Sequence, residues 1–352
     1  MHRPDPTDDL SQNAADASPS PTAGDRPSQQ KPAGGLTQTG KKLPKHVAIA
    51  TPRDLDAATS DLPFVPLCCD PRAFTLMHEQ TLPPTGDSAK PRQLDTDEGL
   101  TAAVAAVAAH AMDDVSVRQV EQEIEDLATA VRDSMPMNVS GRAPSEQAKL
   151  AHLHQILFDD YGFRGTGVDY YDPRSSFLPS VLKTRRGLPI TLALIYKLVA
   201  GRLGLKCWGV GLPGHFVAGV DCHGPMLVDC FHGGRILDRE DAEERVRACC
   251  GDEADFRDEM LRPVTHRHWV TRLIQNLLQT YTTAGQYSDV AAMLEFELVL
   301  WPDQLHLQRD LGLVLARLGQ SAAARRWINE YLLQRPDDPQ RPDLEELLGV
   351  LN

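Results

Sequence analysis

Residues 189–204, "PITLALIYKLVAGRLG", constrain the fold more than any other stretch of this chain. Pro189 suits a first helical position and Gly204 suits a C-terminal cap. Between them Ile190, Leu192, Ala193, Leu194, Ile195, Leu198 and Val199 spread apolar surface around most of the helix. Such a helix has to be enclosed by other elements. The segments after it, "KCWGVGL", "HFVAGVD" and "PMLVDCF", are short and β-rich. A central helix on a small antiparallel sheet is an α+β arrangement.

The flanks differ in kind. Residues 1–45 are rich in Pro, Ser, Thr, Gln, Gly and Asp, and are expected to be a disordered tail. Residues 46–95 form a poorly defined segment, dense in proline, where "HVAIAT" can be read as a strand. Residues 96–145 read as an N-terminal helical cap. "EGLTAAVAAVAAHAM" is helix-prone. Ser116 and Gln119 have capping-box spacing ahead of Val117, Val120, Ile124, Leu127 and Val131, and Pro136 ends that helix. A third helix opens near Ser145 with Leu150, Leu153, Leu157 and Tyr161 on one face, within a core domain read as 146–263. A further helix is read at 238–250. Over 264–352 the pattern is helical and repetitive. At an offset of 34 residues Leu277 maps to Leu311, Gly285 to Gly319, Gln286 to Gln320, Leu294 to Ile328, Leu298 to Leu332 and Pro302 to Pro336. This is similar to tetratricopeptide (TPR) repeats. Two units make a short array that leans on the preceding domain.

A net charge of −13 argues against a nucleic-acid partner. The central helix is interrupted by Lys197 and Arg202, which argues against a membrane span. Seven cysteines, in two adjacent pairs and three singles, with no CxxC, read as reduced thiols in a cytoplasm.

Chemistry concentrates in "VGLPGHFVAGVDCHGPMLVDCFHGG". His215 follows a Pro213-Gly214 turn and Asp229 ends an apolar run. With a hairpin centred on His223, Val217 faces Asp229 and His215 lies diagonal to it on the same face. A His–carboxylate contact there fixes an imidazole as the last two members of a Cys-His-Asp triad do. A nucleophile belongs at the start of the central helix, where the dipole lowers a thiol pKa. That position holds Pro189. Thr191 is the nearest hydroxyl and reads as bonding its own helix backbone.

The motifs "YYDPRSSFL", "RRGLPI", "GVGLPGHF" and "VDCFHGGRIL" resemble the SirB family, over roughly residues 98–337 and most specifically over 168–237. The resemblance implies a papain/transglutaminase-like core followed by TPR repeats. It places the superfamily's catalytic His and Asp on His215 and Asp229, and its Cys on Pro189. It therefore implies a pseudoenzyme serving as a protein-binding or regulatory scaffold. The alternative is an active hydrolase or acyltransferase with an atypical nucleophile. Cys230, where the family usually has Pro, points away from the site.

Other residues have two readings each. Tyr170, Tyr171, Asp172 and Arg174 are either a structural corner, with Ser175 or Ser176 starting a helix, or a pocket wall beside His215. In the second case Arg174, Arg185 and Arg186 bind an anion. Gly214, Gly233 and Gly234 serve tight turns or a close ligand approach. His215, Cys222, His223, Asp229, Cys230 and His232 fall within eighteen residues, but without a recognisable zinc spacing. No metal and no cofactor are expected. The expected partner is a protein or peptide, held by the TPR segment and a cleft near His215.

Overall fold

The computed structural model describes residues 63–82, 93–136, 143–167, 171–251 and 253–351. The predicted disordered tail, "HVAIAT" and Tyr170 lie outside them.

Short polar residues start the first helices. In α1 (Pro71–Thr81) the Asp70 carboxylate accepts from the Arg72 and Ala73 N–H groups. Thr96, Ser116 and Ser145 open α2 (Asp97–Ala111), α3 (Val117–Ser134) and α4 (Glu146–His154), each accepting the N–H three residues on. Only half of a capping box forms at Ser116, because the Gln119 amide donates to Glu123 at 3.0 Å instead. After α4 a π-helical stretch, Gln155–Asp160, carries the chain into β1 (Arg164–Gly165).

No helix begins at Ser175 or Ser176. Asp172 caps a short turn, Pro173–Ser175, and α5 (Leu178–Thr184) starts three residues later with Pro179 in its first turn. The Ser175 carbonyl is instead taken by the Leu188 N–H at 3.0 Å. β2 (Arg186–Gly187) pairs in parallel with β1. It leads directly into the central helix α6 (Pro189–Arg202), where every residue from Pro189 to Ala200 is buried. Two polar groups in that run have partners. Lys197 Nζ pairs with Asp97, and Tyr196 Oη lies 2.9 Å from His154 Nε2. Thr191 Oγ1 donates to the Ser176 carbonyl at 3.3 Å, not to its own helix. The loop folded back over α6 offers the nearer acceptor.

The sheet covers one side of α6. β3 (Cys207–Val210), β4 (Val217–Asp221), β5 (Pro225–Asp229), β6 (Arg235–Leu237) and, after α7 (Arg239–Cys250), β7 (Pro263–Val264) are arranged in the order β6-β5-β4-β3-β7. All neighbours are antiparallel. α7 begins with a full capping box between Asp238 and Asp241.

Five helices complete the chain: α8 (His266–Ala284), α9 (Tyr287–Leu300), α10 (Leu305–Arg317), α11 (Ser321–Gln334) and α12 (Arg341–Val350). The turns after α8 and α10 hold Gly285 and Gly319 at φ +69° and +74°. A left-handed turn at the same place in each unit explains why both repeats carry glycine there. Trp269 of α8 is fully buried, packs tilted against Phe216 with ring centroids 4.8 Å apart and donates its indole N–H to the Ile190 carbonyl at 3.3 Å. Gly209 of β3 is required beneath it, since a Cβ there would strike the Trp269 ring.

Part of the poorly defined segment is ordered. Phe74 and Met77 of α1 are fully buried in the main core, and Phe64 packs edge-on against Trp327 of α11. One continuous core therefore runs from α1 through the sheet domain to α11. The fold is mixed α+β and mostly helical. No helix among the described residues is long and apolar enough to cross a membrane.

Candidate functional site

The β4–β5 hairpin sets the site. Ala218 pairs with Val228, Gly219 with Leu227 and Asp221 with Pro225. Extended by one pair, this register puts Val217 opposite Asp229 and His215 diagonal to it. The tight turn is made by His223 and Gly224, both at positive φ, with the Gly224 N–H donating to Asp221 Oδ1 at 3.2 Å.

His215 Nε2 lies 3.1 Å from Asp229 Oδ1. This is a close polar contact but not an aligned hydrogen bond. His215 is 6% exposed and Asp229 fully buried. Asp229 also caps the short turn Cys230–His232, so its Oδ1 accepts the N–H groups of Phe231 and His232 at 3.2 and 3.3 Å. Its Oδ2 meets His232 Nδ1 at 2.8 Å and Arg245 Nη2, from α7, at 3.3 Å. Burial acts to raise the Asp229 pKa. The contacts and charges of His215 and His232 outweigh it and hold the carboxyl below its ordinary range. The side chain is thus a buried carboxylate with its acceptor sites committed.

The turn carrying His215 is held from outside the sheet domain. Arg272 of α8 donates through Nη2 to the His215 carbonyl at 2.8 Å and to the Leu212 carbonyl. The repeat segment and the candidate site are therefore mechanically joined. Neither Arg245 nor Arg272 stands out in the sequence. The sequence signal nearest to them was His232, three residues beyond Asp229.

Pro189 is the buried first residue of α6, and α6 packs on β4 and the Cys230–His232 turn. Of the other predicted pocket residues, Gly214 immediately precedes His215, and the rest lie in the segments before α6 and after β5. Tyr171 is exposed. Arg174 pairs with Asp172 at 2.7 Å on the surface, as a corner would. Arg185, left-handed at φ +60°, lies over the Tyr161 ring at 4.5 Å and donates to the Tyr161 carbonyl. Arg186 donates to the Gly162 carbonyl at 2.8 Å. The Arg185 and Arg186 guanidinium groups thus satisfy backbone carbonyls near β1.

The glycines serve turns. Gly214 is at φ +69°, and a Cβ there would come within 2.5 Å of Cys249 Cβ. Gly233 and Gly234 are at φ +70° and +77°, and Gly234 lies flush against the Phe158 ring.

Of the six His, Cys and Asp groups in the hairpin region, three converge. Ligand atoms of His215, Asp229 and His232 lie within 4.8 Å of one another. This donor set suits a divalent cation, but Arg245 shares the same carboxylate and opposes one. Cys230 is fully buried, with its thiol directed to the Val228 carbonyl, and His223 sits in the hairpin turn.

A buried helix whose start faces a strand pair bearing His and Asp defines a transglutaminase-like domain, and residues 118–275 match that superfamily. Residues 277–349 match the tetratricopeptide repeat. A UPF0162 protein of Xylella fastidiosa (strain 9a5c) is 38% identical over 192 residues, covering 53% of this chain and 68% of that protein. The chain belongs to the UPF0162 family. A UPF0162 protein of Vibrio cholerae is 24% identical over 215 residues, 59% of this chain and 77% of that one. F-box only protein 21 of Mus musculus is 24% identical over 224 residues, which is 56% of this chain but only 35% of that protein. No solved structure matches significantly.

Proposed function

We propose that this protein is a transglutaminase-like pseudoenzyme that acts in the cytoplasm as a protein-binding, regulatory scaffold, as the SirB resemblance also implies. The observation that carries this reading is Pro189 at the first position of the central helix. Covalent acyl transfer cannot proceed without an activated nucleophile, and proline supplies neither a nucleophilic atom nor an N–H. Cys207, Cys230 and Cys249 offer no substitute. Burial pushes the Cys207 thiol up to about 12 and also raises Cys230 well above its ordinary value. Cys249 adjoins Gly214, yet burial foremost raises its pKa as well. A catalytic thiol needs the opposite shift. The TPR repeats supply the surface for protein contact.

The test treats the full chain with iodoacetamide and with a fluorophosphonate probe, and maps the adducts by mass spectrometry. The expected adducts are on the exposed Cys249 and Cys250, and are unchanged in His215→Ala. Stoichiometric labelling of one residue that disappears in His215→Ala overturns the reading in favour of a working hydrolase or acyltransferase.

A further inference from the structure

A cavity of about 270 Å³ opens between α8, α9 and the start of α10, away from His215. Its walls include His268, Thr271 and Gln275 of α8, Glu297 at the α9 side, Trp301 and His306. Glu297 is 4% exposed and its Oε1 has no hydrogen-bond partner. A buried carboxylate oxygen left unmatched is costly, and such groups are normally paired. No lysine or arginine lines the cavity. The titratable and charged groups nearby on the packed helices are Asp310, which repels a second negative charge and is paired with Arg309 at 2.8 Å, Arg267 over the Trp301 ring, and the imidazoles of His268 and His306. Trp301 is fixed by its indole N–H, which donates to Thr271 Oγ1 at 2.7 Å. A second cavity of about 530 Å³ shares Trp301 and Gln304 with the first, so the open surface continues past the ring.

We infer that this cavity is a binding site for one cationic side chain, lysine or arginine, of a partner peptide. The inserted group would give Glu297 Oε1 a donor, as a charge-assisted hydrogen bond, beside the hydrogen bond that the carboxylate takes from Gln275. The Trp301 ring, which already carries Arg267 over one face at 5.0 Å to the centroid, adds aromatic surface beside the inserted group. The adjoining cavity leaves room for the chain on either side of the inserted residue. This rests on reading the repeats as the protein-binding segment, and it specifies the chemistry of what they bind.

The test uses side-chain analogues, so it needs no identified partner. The ¹⁵N-labelled full chain is titrated with n-butylammonium, n-butylguanidinium and, as an uncharged control, n-butanol. The Trp301 indole N–H signal, assigned with Trp301→Phe, is followed by NMR. It is expected to shift saturably with one or both cations and not with n-butanol; the two cations separate lysine from arginine. Glu297→Gln is expected to weaken the cation at least about tenfold. Gln275→Lys, a change at an exposed position, places a resident ammonium at the cavity and is expected to abolish saturation. Absence of a saturable shift with either cation overturns the site, as does an unchanged affinity in Glu297→Gln. Either failure leaves the pseudoenzyme reading standing, since that reading falls only to the labelling result.

Discussion

At Asp229 the backbone N–H groups of Phe231 and His232 and the side chains of His215, His232 and Arg245 meet one buried carboxylate. Asp229→Ala strands the Arg245 guanidinium and two backbone N–H groups, and is expected to cost about 3–5 kcal/mol, measured by urea unfolding at pH 7. The folded pKa is depressed. The stabilisation is therefore complete above the unfolded value of 3.8 and is lost as pH falls below it. This acid limb should be weaker in Asp229→Asn. Glu297 has the opposite sign. Burial pushes its carboxyl from 4.5 up to about 7, with Asp310 adding to the shift and Gln275 opposing it. Below pH 4.5 the group is protonated in both states and costs nothing; the cost grows with pH and is complete above about 7. Glu297→Gln is expected to match the wild type at pH 4 and to exceed its stability at pH 8 by about 3 kcal/mol. Equal stability of the two proteins at pH 8 would contradict the burial assigned to this side chain.

Between elements, the decisive join is Arg272, which ties α8 to the turn that carries His215. Arg272→Ala is expected to destabilise the chain by about 2 kcal/mol. It should also broaden the His215 ring signals in an NMR spectrum, whereas Arg272→Lys should restore part of the order. Unchanged His215 signals in Arg272→Ala would show that the turn holds itself. What was legible in the sequence was local. The ends of α6, the oxygens of Ser116 and Ser145 as caps, and the glycines after α8 and α10 obey short-range rules. So does the hairpin register, because each strand's side chains alternate about a short turn. What was not legible depends on residues distant in the chain. Thr191 bonds Ser176 because a loop passes over α6. Arg245 reaches Asp229 from an otherwise ordinary polar helix. The backbone acceptors of Arg185 and Arg186 at Tyr161 and Gly162 carry no side-chain signature.

Over the whole molecule, the same limit hid α1. Its burial comes from a core shared with α2 and the repeat helices, and prolines on both sides mask its short apolar pattern. The Glu295 carboxylate of α9 accepts the backbone N–H groups of Leu67, Cys68 and Cys69, at 2.6, 3.1 and 2.7 Å for the nearest oxygen of each. Removal of residues 1–82 uncovers the core against Phe74 and Met77 and leaves Glu295 without those donors. It is expected to lower Tm by several degrees or to make the chain insoluble. A truncated chain that melts with the full-length protein would show that α1 is an accessory.

The Glu295 contact also carries a consequence for the time course of folding. Its partners lie 226–228 residues earlier in the chain. On a ribosome, Leu67, Cys68 and Cys69 emerge long before their acceptor exists, and closing so long a loop is slow even when the whole chain is free. The contact at Leu67, Cys68 and Cys69 must wait for residue 295. In pulsed hydrogen exchange during refolding, those three amides are expected to gain protection after the amides of α6 and β4, whose partners lie close in sequence.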